Sequence, residues 1–302
     1  PARGTGERMR KGIHYWALPH RLNLREKMQV ARKAGFEGVE LVLLDSGELC
    51  LDSTVEELKV IRKIAREEKM EITALSSSLN WKASLTSGDK EIREKAKALL
   101  VRQIEIASVP EIEVILALPG FVSMDFVTDA LHQTVSTHHG SDYFPGRETV
   151  SYEEAYERAL EGLGEVERTA RREGIVIGVE NIWNHFLLSP LEMRDFIDQF
   201  HSPNVQVYFD VGNVMPWGVP QQWIRILGPR IRRVHVKDFV KGHPSIRGFV
   251  DLLSGDVDFR EVKKALKDVG YDGWLTAEVS EKEGYPEFAA YSSSMALDFI
   301  MK

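Results

Sequence analysis

Short β-branched runs alternate along the chain with longer stretches in which apolar residues recur every three or four positions. The first pattern predicts strands and the second amphipathic helices. Strands are expected at Lys11–Trp16, Gly38–Leu43, Glu71–Ser76, Glu113–Leu118, Ile175–Glu180, Val205–Asp210, Arg232–Lys237 and Trp274–Val279. Helical periodicity follows each of them, at about Leu24–Ala34, Val55–Glu68, Lys90–Ala107, Tyr152–Glu173, Pro190–Gln199, Pro220–Leu227, Phe259–Val269 and Pro286–Ile300. Eight strand–helix units in order predict an α/β fold, a closed parallel (β/α)8 TIM barrel. The rival is an open doubly wound sheet. That fold more often has a Gly-rich turn after its first strand, where this chain reads Tyr15-Trp16-Ala17-Leu18-Pro19. Residues 11–302 are expected to form a single barrel domain, with residues 1–10 a flexible tail and Met9 the more natural start of the folded part.

The helix ends carry their own signals. Ser53, Ser151 and Asp258 each stand three residues before a glutamate, the spacing of a capping box. Ser189-Pro190 places proline at a first helical position, and Gly35, Gly174 and Gly270 follow expected last turns. One connection, Pro119 to Val150, exceeds what a βα turn needs. It is expected to cover part of the barrel mouth and so keep a reactive intermediate from bulk water.

Polar residues break the apolar pattern at one end of four successive strands. Glu180, Asp210, His235 and Glu278 stand near the C-terminal ends of the fifth to eighth strands. Side chains alternate faces along a strand. Ile175, Ile177 and Val179 oppose Glu180; Val205, Val207 and Phe209 oppose Asp210; Val234 and Val236 oppose His235; Leu275, Ala277 and Val279 oppose Glu278. The aliphatic face packs on the helices, so all four polar residues are expected inside the mouth, where barrel active sites lie. A salt bridge or a cap would explain any one of them. Four with matching parity on consecutive strands point instead to one site. Three converging carboxylates repel, and a divalent cation resolves the repulsion. Three oxygens and one imidazole suit Mn²⁺ best, with Mg²⁺, Co²⁺ or Zn²⁺ as alternatives. A metal bridging neighbouring carbonyl and hydroxyl oxygens would stabilise an enediolate while a carboxylate moves the proton on carbon.

Composition narrows the function classes. Hydrophobic residues make up 43% and charged residues 28% of 302, enough for a large core. The net charge of −7 argues against a nucleic-acid partner, which needs a basic stripe. No apolar run approaches the ~18 residues of a membrane span, and no apolar signal core follows the basic start. Cys50 is the only cysteine, so neither an internal disulfide nor a thiolate zinc site is expected, and a reducing cytoplasm is the natural compartment.

The runs Gly178-Val179-Glu180-Asn181, Asp210-Val211-Gly212-Asn213, His235-Val236-Lys237-Asp238 and Ala277-Glu278-Val279 resemble those of the xylose isomerase-like TIM-barrel superfamily of sugar phosphate isomerases and epimerases. The resemblance spans the chain from Lys11 onward. With the stretch Gly12-Ile13-His14-Tyr15-Trp16-Ala17-Leu18-Pro19, it is nearest to the pentulose-5-phosphate and ketose 3-epimerase branch. It implies one metal held by Glu180, Asp210, His235 and Glu278, with Glu180 and Glu278 exchanging protons at C3 from opposite faces. Free-ketose epimerases carry histidine where this chain has Asn213, arginine near Lys241 and glutamate near Phe186, so the chain departs from them at the substrate.

Other residues are candidates for contact with a small sugar or sugar phosphate. Tyr15 and Trp16 end the first strand, although one of them is as well explained by core packing. Trp183 and His185 follow Glu180, Asn213 follows Asp210, and Lys237 shares the inward face of His235. Lys241 and Arg247 lie in a loop where barrels often bind phosphate. Trp81 and Lys82 are weaker candidates. Glu40 is expected inward, but too low in the barrel to be given a role. His138 and His139 resemble a metal pair only superficially, since adjacent residues point apart. Competing functions are a lyase such as an inosose- or dehydroshikimate-type dehydratase, an endonuclease IV-like nuclease, and a non-catalytic sugar-binding protein. A homo-oligomer is compatible with all of them.

Overall fold

The computed structural model describes residues 8–123, 148–242 and 246–302. Seven parallel strands run in order from the start: β1 (Arg10–His14), β2 (Gly38–Leu43), β3 (Glu71–Ser77), β4 (Val114–Ala117), β5 (Val176–Glu180), β6 (Val205–Asp210) and β7 (Ile231–Val236). A short antiparallel hairpin follows, β8 (Asp238–Phe239) with β9 (Phe249–Val250). The eighth barrel strand is β10 (Trp274–Ala277), and β1 closes the ring by pairing with both β2 and β10. Around it stand α1 (Leu24–Ala34), α2 (Val55–Glu67), α3 (Lys90–Ser108), α4 (Tyr152–Glu173), α5 (Pro190–Asp198), α6 (Pro220–Leu227), α7 (Phe259–Asp268) and α8 (Phe288–Met301). No helix among the described residues is long and apolar enough to cross a membrane.

Strand parity explains the layers. Ile177, Val179, Val207, Phe209, Val234, Val236, Leu275 and Ala277 join the helices in one buried apolar cluster. The opposite faces build a smaller interior cluster from Ala74, Val114, Leu116 and Tyr208. Below it, Arg233 is buried; its Nε donates to the Thr73 carbonyl at 2.8 Å and its guanidinium meets Glu113 at 3.0 Å. That ion pair lies toward the N-terminal ends of β3, β4 and β7, away from the end that carries Glu180 and Asp210.

Boundaries differ from expectation where side chains intervene. β1 stops at His14 because its ring Nδ1 accepts the Trp16 N–H at 3.3 Å and starts a 3-10 turn over Tyr15–Ala17. β10 stops at Ala277, which leaves Glu278 just beyond the ladder. The cap of α2 is Thr54 paired with Glu57, one residue later than Ser53 with Glu56, because the Ser53 hydroxyl accepts the Cys50 N–H instead. Ser151, Ser189 and Asp258 cap as their spacing predicts, and Asn23 with Glu26 forms a further capping box on α1. The expected mouth covering between Pro119 and Val150, with His138 and His139, lies mostly outside the described residues. Its two stems meet where the Val150 N–H donates to the Val122 carbonyl at 3.0 Å.

Gly178 makes room for the largest interior ring. A Cβ there would stand 2.9 Å from Tyr208 Cδ2 and 3.3 Å from the Ile115 carbonyl oxygen. Gly178→Ala should therefore cost about 1–3 kcal/mol, as overpacking does. The loss should appear as a lower urea midpoint at unchanged slope. An unchanged midpoint would mean that the Tyr208 ring is not confined.

Candidate metal centre

Neighbouring strands deliver the four polar residues to one place. Asp210 of β6 is in register with His235 of β7, and His235 with Thr276 of β10. Glu180 ends β5, and the Glu278 N–H donates to the Val236 carbonyl at 3.2 Å, which extends β10 by one residue. Each offers one ligand atom, and these atoms all lie within 4.8 Å of one another. His235 Nδ1 is 2.7 Å from Glu278 Oε2, 3.5 Å from Glu180 Oε1 and 3.8 Å from Asp210 Oδ2. Asp210 and His235 are fully enclosed, Glu180 is buried, and only Glu278 keeps a partly open side chain.

The donor set fits a cation. Asp210 Oδ2, Glu278 Oε2 and His235 Nδ1 are buried without a hydrogen bond of proper geometry, although all three point into the cluster. Buried polar atoms are rarely left so. Lys237 Nζ stands 3.0 Å from both Asp210 Oδ2 and Glu278 Oε2 and supplies one positive charge. Burial pushes Glu180 up to about 7, and pushes Asp210 up as well. Burial would raise Glu278 too, but Lys237 and His235 hold it well below the usual carboxylate range. Burial on one side, and Lys237 with His235 on the other, thus leave three neighbouring carboxylates with unequal proton affinities.

The surroundings hold Asp210 in place. The Asn181 side chain accepts the Asp210 N–H at 2.7 Å and donates to the Asp210 carbonyl at 2.9 Å. The Asn213 N–H donates to Asp210 Oδ1 at 2.8 Å, and the Asn213 amide donates to the Asn181 carbonyl at 3.0 Å. Beneath the cluster, His235 Nε2 is 2.9 Å from Glu40 Oε2, and the Tyr208 hydroxyl donates to the same oxygen. His14 completes this lower tier, its Nε2 3.6 Å from Glu40 Oε1 and 3.1 Å from Ser76 Oγ.

The other sequence candidates are dispersed. Trp16 stacks on His14, ring centroids 5.8 Å apart, beside the lower tier. Tyr15 faces the other way, with Lys27 Nζ 3.7 Å over its ring on the helix side. Trp183 is buried on Phe249 and donates its Nε1–H to the Asn213 carbonyl at 2.9 Å, so it packs the loops that follow β5, β6 and β7. His185 is exposed with a left-handed backbone, φ 53°. Lys241 and Arg247 are both exposed in the segment between β8 and β9. Lys82 pairs with Asp45 at 2.7 Å, and Trp81 packs beside Phe121. Sequence reading gave no role to Asn181, Tyr208, His14 or Glu40. Tyr208 was within reach of the parity rule, since it shares the inward face of Asp210 two residues on.

The family model of the xylose isomerase-like TIM barrel matches residues 28–297. The chain is similar to a putative L-ribulose-5-phosphate 3-epimerase, SgbU, of Escherichia coli K12: 26% identical over 283 residues, 91% of this chain and 90% of that one. It is similar to the L-ribulose-5-phosphate 3-epimerase UlaE of Escherichia coli O1:K1: 25% identical over 265 residues, 87% and 84% of the two chains. Among solved structures, an L-ribulose 3-epimerase superposes with a TM-score of 0.74 at 18% identity, covering 97% of this chain and 93% of the other.

A cation that fills the cluster should stabilise the fold. Chelator-stripped protein should melt several degrees lower than the same protein in millimolar Mn²⁺, because a ligand bound only by the native state stabilises it by about 2.7 kcal/mol at a hundredfold excess over Kd. His235→Ala should abolish most of that shift. An equal Mn²⁺ shift in wild type and His235→Ala would place the binding elsewhere.

Proposed function

The chain belongs to the xylose isomerase-like TIM-barrel family, and from that premise we propose that it is a divalent-metal-dependent epimerase that inverts C3 of a ketose or ketose phosphate. The observation that carries the proposal is the convergence of Glu180, Asp210, His235 and Glu278, whose ligand atoms lie within 4.8 Å of one another in a buried site. The relatives named as L-ribulose-5-phosphate 3-epimerases support the reaction class.

In this reading Glu180, Asp210, His235 and Glu278 hold the ion, with Mn²⁺ the best match to three oxygens and one imidazole. When bound, it would supply electrophilic stabilisation of the negative charge that proton removal leaves on the substrate. The proton chemistry belongs to the chain. Glu180 and Glu278 come from β5 and from the end of β10, which lie on different sides of the mouth. One carboxylate takes the C3 proton, and the C3–H electrons move toward the neighbouring carbonyl. The other glutamate returns a proton to C3 from the opposite face, so configuration inverts with no net change in atoms. Asp210 serves as a ligand, held by Asn181 and Asn213. Lys237, close to Asp210 and Glu278, is placed to meet a substrate oxygen. Trp16 and Trp183 help shape the sugar pocket. The positive side chains of Lys241 and Arg247 after β7 favour a phosphorylated substrate. The single cysteine, Cys50, suits a cytoplasmic setting.

Incubation with Mn²⁺ and a panel of pentuloses, hexuloses and their 5- or 6-phosphates in D₂O should place deuterium at C3 of the substrate and its epimer. Deuterium at C1 would mean aldose–ketose isomerisation. A new ultraviolet-absorbing product with loss of water would mean a dehydratase. Glu278→Gln should keep weakened metal binding and lose turnover by at least the ~10²-fold typical of a general base. Epimerisation by Glu278→Gln at the wild-type rate would refute the two-glutamate mechanism.

A further inference from the structure

Glu40 has no exposure to solvent and stands on β2, across the barrel from β7. A carboxylate so enclosed is costly unless its oxygens are engaged. Its Oε2 takes two contacts, the His235 Nε2 at 2.9 Å and the Tyr208 hydroxyl, while Oε1 has no hydrogen bond. An ionised carboxylate only accepts hydrogen bonds. The His235 nitrogen facing it therefore carries a proton, so a ring that loses its other proton to bind a cation has its lone pair on Nδ1, toward Glu180, Asp210 and Glu278.

We propose that Glu40, itself fixed by Tyr208, is the positioning residue that sets the tautomer and ring angle of His235 and so presents Nδ1 as a metal ligand. Such outer partners of a ligating histidine commonly contribute 10–100-fold in metal affinity. The proposal rests on the metal reading of the site, and the test separates the two. Mn²⁺ affinity is measured by calorimetric titration for wild type, Glu40→Leu, Glu40→Gln, His235→Ala and the double variant His235→Ala/Glu40→Leu. Glu40→Leu should weaken binding ~10–100-fold. Glu40→Gln, which keeps an acceptor oxygen, should lose less. The Glu40→Leu change should cost little further once His235 is gone, because it acts through that ring. If Glu40→Leu does not fold, by circular dichroism, Glu40→Gln is combined with His235→Ala in the same cycle. Wild type that binds no Mn²⁺ overturns the metal reading. Wild type that binds, with Glu40 variants within about threefold or with losses that add to His235→Ala, overturns the positioning role alone.

A separate feature lies on the outer surface. Phe288, Tyr291, Met295 and Phe299 share one face of α8, with Tyr285 just before it, and these five are 44–73% exposed. The only charged residue of α8, Asp298, is paired with Lys11 at 2.7 Å. Large side chains of this kind carry about 150–250 Å² each, so the stripe leaves roughly 500–600 Å² of apolar surface open. A standard interface takes about 800 Å² per partner, a little over half of it apolar. The stripe is therefore the right size for the centre of one.

The structure assigns this face to a second copy of the chain, packed antiparallel across a twofold axis near Ser292. Apart from Lys302, whose Nζ lies 4.6 Å over the Phe299 ring, the stripe is uncharged and self-complementary, so Phe288 of one copy can meet Phe299 of the other across the axis. Light scattering should give twice the 34.3 kDa chain mass at ten micromolar protein. Met295→Lys/Phe299→Glu should halve the mass without changing the circular dichroism. Ser292→Cys, in a Cys50→Ser background, should cross-link to a covalent dimer on mild oxidation. A wild-type mass of one chain, or an oligomer that persists in the charged variant or fails to cross-link, overturns the assignment.

Discussion

Three carboxylates enclosed at one end of a barrel cannot all stay ionised without positive charge among them. That constraint organises the rest of the molecule. Glu180, Asp210 and Glu278 stand around His235 Nδ1, and Lys237 is drawn in to pair with two of them. Lys237 meets only part of the demand, since it brings one positive charge to a cluster of three carboxylates. A cluster like this is weak evidence for stability and stronger evidence for a bound cation, because removing one member of a buried charge group is costly while the group itself is not a good way to hold a fold together.

The fold keeps the cluster in place by stacking tiers inside one cylinder. Arg233 with Glu113 lies toward the N-terminal end. Tyr208, seated over Gly178, fills the middle and reaches Glu40. Glu40 meets His235, and His235 meets the carboxylates of the mouth. Outside, the aliphatic faces of the same strands bind the helix ring. Alternation along a strand thus separates two tasks: one face carries the hydrophobic stabilisation, and the other is free for charge.

This division is also why so much was legible in the sequence. The barrel follows from eight strand–helix units, and the inward aim of Glu180, Asp210, His235 and Glu278 follows from the aliphatic residues beside each. What depends on contacts between distant segments was not legible. Glu40 and His235 meet across 195 positions of sequence, and nothing local marks Glu40 as a histidine partner. Tyr15 turns to Lys27 because β1 ends two residues earlier than expected, at His14, whose ring redirects the chain. Asn213 is tied up in bracing Asp210, a role that spacing alone does not separate from contact with a sugar. The α2 cap moved by one residue because Ser53 had a nearer donor at Cys50.

The most direct test of the account is the anomalous scattering of Mn²⁺ in crystals grown with the ion. One site is expected, with Glu180, Asp210, Glu278 and His235 Nδ1 within ~2.0–2.6 Å of it, the range for such ligands, and with Glu40 still on Nε2. An ion bound elsewhere, or one that His235 meets through Nε2, would contradict it.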